Sequence, residues 1–152
     1  MRLLSALLLA VACQAAALDL PRKFDPARDP AKDVAAAAAA AKEQGKRVLV
    51  DVGGEWCVWC HLMDDFIAAN ADVRGVLDAN YVVVKVNWSP QNKNEAFLRT
   101  LPAIKGYPHL FVLDAEGKLV HSQETDVLEE GRGYSKARFL AFLRKYAPPR
   151  SA

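Results

Sequence analysis

Apolar and polar positions along the chain repeat at two different periods, and the switches between them mark the elements. Residues 30–44 open P-A-K-D-V and continue with seven alanines. Asp29 before them suits a helix N-cap, Pro30 sits where a first-turn proline is tolerated, and Gly45 suits a stop. A helix is expected over 30–44. Its alanine run is low-complexity only in appearance, because alanine is the best helix former and its small side chain permits close packing on a sheet. The next run, R-V-L-V-D-V at 47–52, is short, β-branched and apolar on both faces, as a buried parallel strand requires. A glycine pair ends it. Residues 57–70 return to helical spacing, with Leu62, Met63, Phe66 and Ile67 on one face.

A shorter helix is expected over 72–79, then a strand Y-V-V-V-K-V-N at 81–87 and a helix over 94–101. L-F-V-L-D and K-L-V-H-S-Q, joined by Asp114-Ala115-Glu116-Gly117, read as a hairpin with a type I turn closed by glycine. Ser135 is placed to cap a last helix whose apolar stripe is Phe139, Leu140, Phe142, Leu143 and Tyr146. The order α-β-α-β-α-β-β-α implies an α/β fold, a central mixed β-sheet flanked by helices on both faces. No internal repeat is visible.

The N-terminal M-R-L-L-S-A-L-L-L-A-V-A-C-Q-A-A-A joins one arginine, an apolar run and a small-residue site. It reads as a signal peptide over residues 1–17, since the run is short of the roughly 20 residues a membrane span needs. A rival reading takes A-V-A-C as a lipobox that would anchor the chain through an acylated Cys13, although Ala10 stands where leucine is usual. The remainder divides into an extended lead-in at 18–29, a domain at 30–147 and a tail at 148–152. The ending A-P-P-R-S-A carries no endoplasmic-reticulum retention signal, so the expected destination is the periplasm or secretion, with no transmembrane span in the mature chain.

Composition adds exclusions. Hydrophobic residues make up 52% of the 152 and charged residues 25%, enough for one domain with a core. The net charge of +2 has no basic block behind it, so there is no electrostatic footprint for nucleic acid. Of the three cysteines, loss of the signal removes Cys13 and leaves Cys57 and Cys60.

Those two lie in C-V-W-C-H, a string open to three chemistries: a thiol–disulfide centre, covalent haem attachment, or part of a metal site. Cysteines three apart at a helix start share one turn and can close a disulfide without distorting the backbone. The geometry makes them unequal. Unpaired N–H groups and the helix dipole stabilise a thiolate at Cys57, lowering its pKa from the free value of about 8.5. Cys57 is then the nucleophile and Cys60, one turn deeper, the resolving thiol. Asp51 and Lys85 are each the lone charge in the interior of an apolar strand. Their plainer reading is a strand-end aspartate and an edge-strand lysine at the surface. His61, four residues after Cys57, lies on its helical face and could tune it; Trp59 and Trp88 suit either a core or a substrate platform. His109 and His121 are strand residues without an assigned role.

The residues around the motif resemble the thioredoxin superfamily, over residues 46–147. W-C-x-x-C follows a buried strand; Asp51, six residues before Cys57, matches the buried aspartate that exchanges the proton of the deeper cysteine. Lys85 matches its paired lysine, Trp56 the tryptophan before the nucleophile, and Pro108 in I-K-G-Y-P the cis-proline that receives substrate backbone. Val58-Trp59 replaces the glycine-proline pair of thioredoxin, and Tyr107 stands where a smaller residue is usual. The W-C-x-W-C-H form is more like the exported bacterial members. The resemblance implies a thioredoxin fold and a thiol–disulfide oxidoreductase with Cys57, Cys60, Asp51 and Lys85 as catalytic residues. Trp56, Trp59, Tyr107 and Pro108 would contact substrate. It implies no cofactor and no metal, protein disulfides or thiols as substrates, and a redox partner that recycles the cysteine pair.

An inert disulfide is disfavoured because so short a loop constrains little unfolded-state entropy. Haem attachment would need a second axial ligand, and zinc a further ligand beyond Cys57, Cys60 and His61. Reduction of protein disulfides is the expected direction, because Asp51 would serve the step in which Cys60 releases the substrate. The alternatives are an oxidase or isomerase of the same fold and a non-catalytic protein that holds copper or a client through its two thiols.

Overall fold

The computed structural model describes residues 18–149. The expected signal peptide, Cys13 within it, and residues 150–152 of the expected tail lie outside the described residues. Helix α1, Pro30–Gln44, starts where the Asp29 carboxylate accepts from the amides of Ala31 and Lys32 at 3.0 and 3.3 Å. It stops at Gly45, which takes the left-handed conformation, φ 63°, that a side chain would resist. Strand β1, Arg47–Gly53, lies at the centre of a four-stranded sheet ordered β2-β1-β3-β4, with β2 at Tyr81–Asn87, β3 at His109–Leu113 and β4 at Leu119–Glu124. It pairs parallel with β2 and antiparallel with β3. Apolar residues on both faces therefore mark a central strand, not a purely parallel one. Central position alone demands two buried faces.

Period-two alternation sends the two faces of β1 into two cores. Val48, Val50 and Val52 meet Val34, Ala37 and Ala41 of α1, together with Val84 and Phe111. Alanine at the contact lets the helix backbone approach the sheet, which is why the run is buried there. Leu49, on the opposite face, joins Met63 of α2 (Val58–Ala69), Val73 and Leu77 of α3 (Ala71–Asn80), and Phe139 and Leu143 of the last helix. That helix, α5, spans Lys136–Lys145.

Several elements differ from expectation for identifiable reasons. The helix expected at 94–101 is one turn, α4, Glu95–Leu98. Asn94 before it is left-handed at φ 48°, and Pro102 disfavours helical backbone at the residue ahead of it. Ser135 stands at the N-cap of α5, but its hydroxyl makes no cap bond; its amide donates to the Leu128 carbonyl at 2.8 Å instead. A 3-10 turn at Asp126–Leu128 and a small hairpin, β5 at Glu129–Glu130 with β6 at Gly133–Tyr134, were not anticipated. Two-residue strands carry no readable period.

The lead-in is irregular, as expected, yet it is not loose: Phe24 within it is 2% exposed. Its ring uses space that Gly53 leaves open. A Cβ built at Gly53 would collide with Cys60 Sγ and come within 3.0 Å of the Phe24 ring. Gly53→Ala should therefore lower stability by about 1–3 kcal/mol through overpacking, seen as a lower urea midpoint with an unchanged slope. A midpoint equal to that of the parent would mean that this contact yields freely.

Candidate active site

Cys57 is the N-cap of α2 rather than its first helical residue. Its sulfur accepts from the Cys60 amide at 3.2 Å. Cys57 and Cys60 are joined in a disulfide with a Cα separation of 5.2 Å, and Cys60 is fully buried. The helix N-terminus beside that sulfur is a placement that favours a thiolate once the bond opens.

Behind the disulfide lies a charged triad. Asp51 and Lys85 face each other on one rung of the parallel β1–β2 ladder, and Lys85 Nζ donates to Asp51 Oδ2 at 2.8 Å. The same ammonium donates to Asp64 of α2 at 2.8 and 3.1 Å and lies 4.2 Å from the centroid of the Phe24 ring. Neither charge sits at the surface: the Asp51 and Lys85 side chains are 4% and 10% exposed. Asp51 Oδ1 is buried with no hydrogen-bond partner. Burial pushes the Asp51 carboxyl above the ordinary aspartate range, and Lys85 offsets only part of that rise. Burial alone would lower Lys85, but Asp51 and Asp64 reverse this and hold it above the ordinary lysine value. The result is a charged ammonium beside a carboxyl that burial biases toward its protonated form.

Aromatic side chains form the rim. Trp56, half exposed, donates from Nε1 to the Trp88 carbonyl at 2.8 Å. The Trp88 ring stacks on Tyr107 with centroids 5.1 Å apart, and Trp56 meets both rings edge-on. Tyr107–Pro108 is a cis peptide bond, and the Pro108 carbonyl accepts from the Thr125 hydroxyl at 2.6 Å. Tyr107 and Trp59 both pack against the cluster that the disulfide forms with Phe24. Trp59 is only half buried, edge-on to Tyr134, whose hydroxyl donates to the Trp59 carbonyl at 3.2 Å. Trp56 and Val58 are more exposed than Trp59. Beside the cis-proline a cavity of about 410 Å³ is lined by Trp88, Leu98, Leu101, Ile104 and Tyr107.

Of the expected site residues, Cys57 and Cys60 form the disulfide, and Trp59 and Tyr107 pack on the cluster it makes with Phe24. Asp51 and Lys85 pair beside the Phe24 ring, and Trp56 and Pro108 join the group through Tyr107. Two neighbours were missed. Asp64 carries a readable signal, since it follows Cys60 by four residues and shares its helical face. Phe24 carries none, being a single aromatic in a polar, proline-containing stretch. His61 turns to the Glu55 carbonyl at 2.8 Å. His109 is buried with Nε2 on the Ser122 hydroxyl at 2.8 Å, and burial holds its pKa below the ordinary histidine value. Among the described residues, no group of three or more His, Cys, Asp or Glu side chains is arranged to hold a metal.

A family model described as Thioredoxin-like matches residues 29–115, more than half of the chain. The chain belongs to the thioredoxin-like family. A disulfide bond reductase, DsbH, of Chlamydia pneumoniae is 30% identical over 74 residues, covering 43% of this chain and 44% of that protein. The thiol:disulfide interchange protein DsbD of Tatumella citrea is 28% identical over 106 residues, covering 69% of this chain but 17% of that protein. The chain thus spans less than half the length of either relative. Among solved structures, a disulphide isomerase from Xylella fastidiosa Temecula1 superposes with a TM-score of 0.69 at 26% identity, over 85% of this chain and 98% of that one. The relatives by sequence and by structure are thiol–disulfide oxidoreductases, and the fold is the mixed-sheet α/β thioredoxin fold expected from the motif.

A raised carboxyl pKa has a defined sign for stability. The native state favours protonated Asp51, so that contribution is full below the ordinary aspartate value of about 3.9 and is lost as pH rises through the higher native value. Lys85→Met removes the ammonium that offsets this loss and should cost about 3 kcal/mol at neutral pH, with a smaller penalty in acid. Urea unfolding between about pH 4 and pH 8 checks it; parallel stability curves for variant and parent would contradict the coupling.

Proposed function

We propose that the chain catalyses thiol–disulfide exchange on protein substrates and works in the reducing direction. The observation that carries this is the buried Asp51 oxygen without a partner, held behind a disulfide whose outer sulfur caps a helix. In the reduced enzyme, Cys57 thiolate attacks one sulfur of a substrate disulfide. That S–S bond breaks, the departing sulfur leaves as a thiolate that takes a proton, and Cys57 is joined to the substrate. Cys60 then gives its proton to Asp51 and attacks Cys57 Sγ, which breaks the mixed disulfide and expels the second substrate sulfur as a thiolate that takes a proton. The substrate is left with two thiols and the enzyme with the Cys57–Cys60 disulfide. A dithiol partner must supply the two electrons for the next cycle.

Pro108 and its neighbouring backbone would receive the extended substrate chain, flanked by Trp56, Tyr107 and Trp59. Lys85 keeps the cost of an ionised Asp51 bearable, which lets the carboxylate act as a base. The interval Val58-Trp59 adds no charge that would stabilise the Cys57 thiolate and turn the centre into a strong oxidant. We place the enzyme outside the cytoplasm, on the sequence of residues 1–17; among the described residues no helix is long and apolar enough to cross a membrane.

The likeness to a protein named as a disulphide isomerase favours a second reading, in which the same steps reshuffle disulfides. The reduction potential separates the two. Equilibration against glutathione buffers should give a value nearer the roughly −270 mV of thioredoxin than the roughly −120 mV of the strongest periplasmic oxidant. A potential above about −180 mV, the region of protein disulfide isomerase, would refute the reductase reading.

A further inference from the structure

The segment before the domain crosses the redox centre and is fastened on both sides of Phe24. Arg28 donates from Nη1 and Nη2 to Asp19 at 2.9 and 2.7 Å, and from Nε and Nη2 to Asp33 of α1 at 3.0 and 2.5 Å. Asn92 donates to the Pro26 carbonyl at 2.9 Å, and the Phe24 amide donates to Glu55 Oε1 at 2.9 Å. Leu20 packs against the core on the α1 side of the sheet. Such a fork of guanidinium bonds fixes direction as well as position.

Between these anchors the Phe24 ring enters a slot with three walls. One is the Cys57–Cys60 disulfide, the second is the Gly53 backbone, and the third is the Lys85 ammonium. The N–H donors of Lys85 are directed to Asp51 and Asp64, and the face of the Phe24 ring adds its attraction for the same cation. A ring in this slot takes the place water would otherwise fill. Water there would solvate the Cys60 sulfur and the nearby charges, and weaken the desolvation acting on Asp51.

We propose that Phe24 is a positioning residue of the redox centre, sealing Cys60 and the Asp51–Lys85 pair from water. The role rests on the reading of Asp51 as proton acceptor for Cys60 and extends it to a part of the chain outside the α/β layers. The charged and titratable groups around Asp51 are Lys85 of β2, Asp64 and Cys60 of α2, Arg74 of α3, which lines the same cavity, and Tyr134 of β6. Desolvation is the largest influence on Asp51, so admitting water should lower the pH at which it ionises.

Two readouts test this on the mature protein: alkylation of Cys60 after reduction, resolved by mass spectrometry, and the acid limb of insulin disulfide reduction against pH. Phe24→Ala should raise Cys60 alkylation about tenfold and move the limb about one unit toward acid. Phe24→Leu, which refills the slot, should restore both. Circular dichroism checks that each variant is folded, and Phe24→Val, a milder truncation, carries the same comparison if the alanine variant is not. Asp51→Asn should abolish the limb; its survival would overturn the proton-acceptor reading and this proposal with it. A limb that depends on Asp51, with Cys60 protection and limb position unchanged in Phe24→Ala, overturns the role of Phe24 alone. Equal losses in the leucine and alanine variants also overturn it, since they mark general loosening rather than a seal.

Discussion

A carboxylate buried in an apolar sheet is the constraint from which the site follows. Moving such a charge out of water costs several kcal/mol, and a single partner repays it only with good geometry. The parallel ladder supplies that geometry, because Asp51 and Lys85 occupy the same rung and the same face. Leu49, Asp51 and Gly53 alternate onto one face of β1 and serve it in turn: the first packs in the core, the second carries the charge, and the third makes room for Cys60. A slip of one residue would turn Asp51 into the alanine-lined core beneath α1.

The rim is assembled by the same ladder. Gly53 lies opposite Asn87, Val52 opposite His109, and His109 opposite Glu124. The segments carrying Cys57, Trp88, Pro108 and Thr125 consequently leave the sheet at one end. Trp88 is bound to this end twice, by its amide on the Gly53 carbonyl at 2.6 Å and by its carbonyl on Trp56. An exposed tryptophan pinned by its indole nitrogen has little side-chain freedom left to lose, which suits the substrate contact proposed for it.

The sequence made most of this legible because its strongest signals are local. A β-branched strand, a glycine pair and a C-x-x-C at a helix start all lie within residues 47–60. Asp51 and Lys85 stood out as single charges in apolar runs, and their pairing is the physical reason each is tolerated. What escaped was nonlocal or too short to have a period. Nothing near Phe24 announces a partner 33 residues away, as Cys57 is. The two-residue strands that bring Tyr134 to Trp59 are invisible to periodicity, and the helix after Asn94 was overdrawn because Pro102 acts from beyond its end. Helical spacing puts Asp64 on the face of Cys60, yet an acidic residue on a half-exposed face has so many plainer explanations that spacing does not single it out.

Central to this account is an Asp51 carboxyl held out of water beside a fixed ammonium and sensitive to the state of the sulfurs in front of it. Carbon-13 NMR titration of the Asp51 carboxyl, in the oxidised and the reduced protein, measures that property directly. The expected result is ionisation above the ordinary aspartate value of about 3.9 in the oxidised form, with a further change when the disulfide opens. An ordinary value that is the same in both redox states would contradict it.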